Sequence, residues 1–184
     1  MKTDHDKRAD ESVVTLSRAL DQTGDVLAGI PADRLGNPTP CPEWDLDHLV
    51  GHVVETPGKF LAMARGEQPD WAAGPPAAGT DYVSRFRNAA DDLIHSWHQQ
   101  GAAADPGAVD WQTAELAVHT WDLLRASGQQ HPLDPEIAER GLAFMRAALT
   151  DENRGVVFGP EVPLDDPDAS PYDRLAAFAG RDPR

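Results

Sequence analysis

Apolar residues recur every three or four positions along most of the chain, with polar residues between them, and alternation with period two is missing. This is the signature of helices that each bury one face. Val13, Val14, Leu16, Leu20 and Leu27 predict a helix from about Glu11 to Ala28, ended by Gly29–Pro31. Pro38, Pro40 and Pro42 forbid a helix before Glu43, and Glu43, Asp45 and Asp47 suit a helix N-terminus. A second helix follows to about Arg65, its stripe being Leu46, Leu49, Val50, Val53, Phe60 and Leu61, with Pro57–Gly58 as a place to kink. The Pro/Gly/Ala-rich stretch 66–79 is too long for a tight helical hairpin. A third helix is predicted over about Thr80–Gln100, anchored by Tyr82, Phe86, Leu93 and Trp97. The fourth runs from about Trp111 to Ser127 and the fifth from Pro135 to about Leu149. A short extended piece at Val156–Phe158 and a last helix near Tyr172–Ala179 complete the pattern. The expected fold is all-α: a four-helix bundle with a long crossover connection and a short C-terminal cap. Residues 1–10 are expected to be a flexible tail, and 11–184 one domain with its cap from about 151.

Composition narrows the function. The formal net charge is -15, which repels phosphate backbones and anionic lipid surfaces, so nucleic-acid and membrane partners are not expected. A small-molecule substrate is, and a homodimer is allowed. Cys41 is the single cysteine, which rules out an intramolecular disulfide and a Cys-rich zinc site. No apolar run reaches the roughly 18 residues of a membrane span. The polar start MKTDHDKRADES lacks the apolar region of a secretory signal, so a cytoplasmic location is expected.

Two helices carry residues with metal-ligand spacing. On the fourth, Glu115 and His119 stand at i, i+4 and project the same way. On the second, His48 and His52 share that spacing, but His48 falls nearly opposite the apolar stripe while His52 lies at its edge. His52 is therefore the one able to face the bundle interior. The fourth helix is apolar nearly all round, and a carboxylate buried in it is costly unless paired or bound to a cation. Two readings stay open on spacing alone. Glu115 pairs with His119 or Arg125 on a solvated face, or His52, Glu115 and His119 together hold one divalent ion with open positions. In the second case Asp122, one turn beyond His119, is placed to accept from its imidazole N–H.

Other residues carry weaker signals. Cys41 precedes a helix whose dipole favours a thiolate, but no base is evident beside it. Trp44 and Trp121 read as core anchors or cavity walls. Arg85 and Arg87 are candidates for a substrate carboxylate, with solvated surface charge as the ordinary alternative. The acidic LDDPD at 164–168 lacks the glycine and closing glutamate of a calcium loop.

Three segments carry a family resemblance. NPTPCPEWDLDHLVGHVV resembles the TPC-x-x-W…L-x-x-H opening of the DinB-like, mycothiol-dependent maleylpyruvate isomerase N-terminal type. ELAVHTWDLLRASGQ is similar to its second motif, and FGPEVPLDDPDASPYDRLAAFAGRDP to its close. The resemblance implies a DinB-like four-helix bundle holding a divalent metal, zinc first and nickel second, on His52, Glu115 and His119. It further implies a metal-activated low-molecular-weight thiol, such as mycothiol, used for transfer or isomerisation. No counterpart of the additional C-terminal domain of maleylpyruvate isomerases is expected, so their substrate is not carried over. A metal-dependent small-molecule hydrolase and a non-catalytic metal- or ligand-binding protein are the competing expectations.

Overall fold

The computed structural model describes residues 3–71, 73–154 and 158–184. Six α-helices stand among them: α1 Asp4–Ala28, α2 Leu46–Ala64, α3 Tyr82–Gln100, α4 Pro106–Ser127, α5 Pro135–Ala148 and α6 Pro171–Phe178. No strand occurs among the described residues, which hold one isolated bridge between Pro38 and Asp45. Residues 155–157, which take in most of the expected extended piece, lie outside the described residues.

Local chemistry sets the helix ends. α1 starts seven residues before the expected Glu11, because Thr3 and Asp6 cap each other's backbone N–H in a capping box. α4 also starts early: Asp105 accepts from Gly107 N–H, and Pro106 fills the first helical position, where no N–H is needed. Asp45 caps α2 by accepting from His48 N–H. Pro57 sits within α2, with no N–H to give the carbonyl one turn back, yet the helix continues to Ala64.

Side-chain pairs across the helices fix their directions. Thr23 meets Thr120, and Arg8 meets Asp110, so α1 and α4 run parallel. His52 meets Glu115 while Phe60 meets Trp111, so α2 opposes α4. Arg87 pairs with Asp25, and one groove runs between Ser17 to Asp25 on α1 and Arg87 to Ile94 on α3, so α3 opposes α1. Adjacent α2 and α3 are therefore parallel, and the chain must travel back the length of α2, about 28 Å, to connect them. Residues 65–81 are that crossover. Their return path lies against α2: Trp71 packs on Phe60, Pro76 crosses at Gly51, and Ala78 N–H donates to Asp47. A Cβ on Gly51 would stand 1.8 Å from Pro76 O, so only glycine lets the strap lie this close.

α4 is the central helix and touches α1, α2, α5 and α6. Its all-round apolar character follows: Val109, Ala114, Leu116, Ala117, Val118, Trp121 and Leu123 are buried together. α5 packs across α1 and α4, and Gly141 faces Ala114. α6 covers α4 and α5. On α1, Val14 is 55% exposed, so it lies off the buried stripe in which the sequence pattern places it.

Candidate metal centre

The site lies where α2 and α4 face each other. A turn of α2 separates His48 from His52, and the structure sends them to different environments. His48 Nδ1 lies 2.7 Å from Asp45 Oδ1 at the exposed start of the helix. His52 points at α4, with its Nε2 3.1 Å from Glu115 Oε1. One turn further along α4, His119 Nε2 lies 3.1 Å from that same oxygen. The donor atoms of His52, Glu115 and His119 all fall within 4.8 Å of one another. Their side chains are 11%, 16% and 11% exposed, which leaves the cluster mostly shielded but reachable.

The ring of His119 is gripped on both sides. Its Nδ1 stands 3.1 Å from Asp122 Oδ2, and Asp122 is fully buried. Arg181, from the segment after α6, donates to both oxygens of Asp122 at 3.4 and 3.1 Å. Cys41 Sγ lies 3.5 Å from Asp122 Oδ2, and Arg181 Nη2 lies 3.7 Å from the sulfur. Cys41 is fixed by its turn, where Thr39 Oγ1 accepts from Cys41 N–H and donates to the carbonyls of Cys41 and Trp44. The turn also lays Trp44 on the His52 ring, with centroids 4.8 Å apart.

These contacts polarise the site. Burial lowers the His52 pKa more than its bond to Glu115 raises it, which favours neutral imidazole, the form that ligates. Burial opposes charge on Glu115 too, but the His119 charge and the bonds from both imidazoles hold its carboxyl well below the usual range. For His119, burial is outweighed by the Glu115 charge and by its bonds to Asp122, Cys41 and Glu115, so its pKa rises well above the ordinary value. Asp122 likewise stays ionised against burial, through His119 and Arg181.

The donor set fits one divalent ion. Two imidazole nitrogens and one carboxylate oxygen converge from two rigid helices, and the far nitrogen of His119 already has an acceptor to hold its N–H. Cys41, His119 and Asp122 form a second group whose donors meet within 4.8 Å. Asp122 is committed there to Arg181 and to His119 Nδ1, so this second group backs the first.

Residues with weaker claims lie elsewhere. Arg125 stacks on Trp121 and donates to the Pro183 carbonyl, away from Glu115. Arg85 donates to Ala78 O and so ties down the crossover, while Arg87 pairs with Asp25. Trp121 is buried, and its Nε1–H donates to Asp173. The residue that sequence reasoning misses is Arg181: it stands 59 positions from Asp122 with no periodic relation to it.

A cavity of about 250 Å³ opens beside Glu115, between α4 and α5, lined by Trp111, Ala114, Val118, Phe144 and Met145 among others.

The family model described as the mycothiol maleylpyruvate isomerase N-terminal domain matches residues 16–124, a span that contains His52, Glu115, His119 and Asp122. Two proteins of Mycobacterium tuberculosis, "Uncharacterized protein Rv0738" of strain H37Rv and "Uncharacterized protein MT0763" of strain CDC 1551, are each 37% identical over 180 residues, covering 89% of this chain and 94% of the relative. "Uncharacterized protein Rv0036c" of strain H37Rv is 28% identical over 109 residues, covering 58% of this chain and 39% of that protein. No solved structure matches the chain. The chain belongs to the family of the mycothiol maleylpyruvate isomerase N-terminal domain.

Proposed function

We propose that His52, Glu115 and His119 hold one divalent metal ion, zinc first and nickel second, in a thiol-dependent transferase or isomerase. The observation that carries this reading is the convergence of two imidazole nitrogens on one Glu115 oxygen, each at 3.1 Å, from two facing helices. The bound ion would supply Lewis acidity, lowering the pKa of a coordinated thiol or water. The co-substrate is a low-molecular-weight thiol of the mycothiol type, as membership of the family suggests, and the second substrate is a small electrophile.

The chain's own residues prepare the site. Asp122 holds one His119 proton on Nδ1, so that an ion displacing the other from Nε2 would find that nitrogen aimed at Glu115. Arg181 makes the fully buried Asp122 carboxylate tolerable by pairing with it. Trp44 covers the His52 ring and fixes its plane. No described helix is long and apolar enough to cross a membrane, and a cytoplasmic location, where such thiols are abundant, fits the reading.

The test is to incubate metal-loaded protein with mycothiol and a panel of electrophiles, following thioether adducts and isomers by mass spectrometry and chromatography. Thiol-dependent turnover is expected, falling more than about 100-fold in Glu115→Gln while the fold is kept. Turnover without added thiol would replace this reading with a hydrolase, and inert metal binding would replace it with a binding protein.

A further inference from the structure

The cavity beside Glu115 differs in chemistry from the donor cluster it adjoins. Trp111, Ala114, Glu115 and Val118 form a single stripe on α4, at i, i+3, i+4 and i+7, and supply one wall. Phe144, Met145, Ala148 and Leu149, from the end of α5, supply the opposite one. Trp111 is held in place from behind by Phe60, centroids 5.3 Å apart, and by Trp71 at 6.3 Å, so this wall is braced.

Among the described lining residues the only charged side chain is Glu115, whose Oε1 already faces both imidazoles. No Lys, Arg or His stands among the described lining residues. An anionic group seated in the recess, away from the donor cluster, would lose its hydration and find no counter-charge on the described walls, in a protein of net charge -15. An uncharged apolar group would instead be driven in by the removal of its surface from water. An apolar cavity of about 150 Å³ accommodates benzene, so 250 Å³ admits a substituted ring or a short branched chain.

We infer that this cavity seats an uncharged aryl or alkyl group of about six to ten carbon atoms, carried by the substrate whose reacting end lies at Glu115. The inference rests on the reading of Glu115 as a metal ligand, and it makes the substrate of this chain an electrophile that carries an apolar group.

The cavity can be probed without turnover. Toluene, n-butylbenzene and benzoate are titrated into metal-free wild-type protein, with binding followed by calorimetry and ligand-observed NMR. Saturable binding of both hydrocarbons is expected, with benzoate at least about tenfold weaker. Ala148→Trp fills the cavity from an exposed position at the end of α5 and should weaken n-butylbenzene at least about tenfold. If that variant does not fold, Phe144→Ala enlarges the cavity instead and should shift preference towards naphthalene. Absence of saturable hydrocarbon binding, benzoate binding as tight as toluene, or affinities unchanged by these substitutions would overturn the inference. Its failure is separable from failure of the metal reading. Hydrocarbon binding should persist in His52→Ala, and wild-type protein that takes up hydrocarbon but no metal would support the cavity while sinking the metal centre.

Discussion

Asp122 answers two demands at once: it orients the ring of His119, and it neutralises Arg181 in a place closed to water. The substitution Asp122→Asn keeps the shape and separates the two. Arg181, 8% exposed, would be left without its counter-charge, a loss of about 3–5 kcal/mol in stability. Metal affinity should fall about 10- to 100-fold, because the imidazole loses its charged acceptor. Adding Arg181→Met should restore the melting temperature and leave the affinity low, as read by thermal melts and competitive metal titration. Recovery of both would mean that Asp122 serves only the packing. Which residues could be read from sequence follows from where they sit. Glu115 and His119 share a helix face, and His52 borders an apolar stripe, so periodicity alone marks them. Arg181 reaches Asp122 through the chain's return over α4, which no local spacing encodes.

At the scale of the elements, close contacts decide the sign of glycine substitutions in α2. Ala is favoured over Gly in a helix by about 1 kcal/mol. At Gly58 nothing lies within 4 Å of an added Cβ, so Gly58→Ala should stabilise by about 0.5–1 kcal/mol. At Gly51 the Pro76 carbonyl is 1.8 Å from the new atom, and displacing the strap should cost about 1–3 kcal/mol, more than the propensity gain. Thermal or urea unfolding of the two variants should therefore move in opposite directions. α6 is tied to α1 by a pH-sensitive contact, in which Gln22 Nε2–H donates to Tyr172 Oη at 2.6 Å. Burial pushes the Tyr172 phenol up to about 12, against the weaker opposing effect of the Gln22 bond. The folded state thus favours the neutral phenol. Its contribution, about 2–3 kcal/mol, is complete below the unfolded value near 10 and is lost as pH rises from there through about 12. Stability measured across that window should decline in wild type and decline less in Tyr172→Phe. The helix bodies were legible from their stripes, but two starts were not. The charged first turn of α1 conceals a capping box, and Asp105–Pro106 reads equally as the end of a loop or the start of a helix.

For the whole molecule, the number of bundle helices and the long connection follow from apolar periodicity and from the Pro/Gly/Ala stretch. The parallel pairing of α2 and α3 does not, since it emerges only from contacts such as Thr23–Thr120 and His52–Glu115 that join distant segments. The same holds for the cavity, because its two walls come from α4 and α5 and neither stripe alone encloses a volume. This arrangement gives α4 its double role. One side of it faces His52 across the bundle, and the next builds the apolar wall, so Glu115 stands at the boundary between a charged cluster and a greasy recess.

The claim on which the rest depends is that this boundary holds a metal ion. Wild type, His48→Ala and His52→Ala should be stripped, reloaded with zinc, nickel, cobalt or manganese, and compared by elemental analysis and competitive titration, with circular dichroism as the check on fold. About one tightly bound ion per chain is expected in wild type and in His48→Ala, and none in His52→Ala. Failure of wild type to bind any of the four metals, or equal loss in both histidine variants, would contradict it.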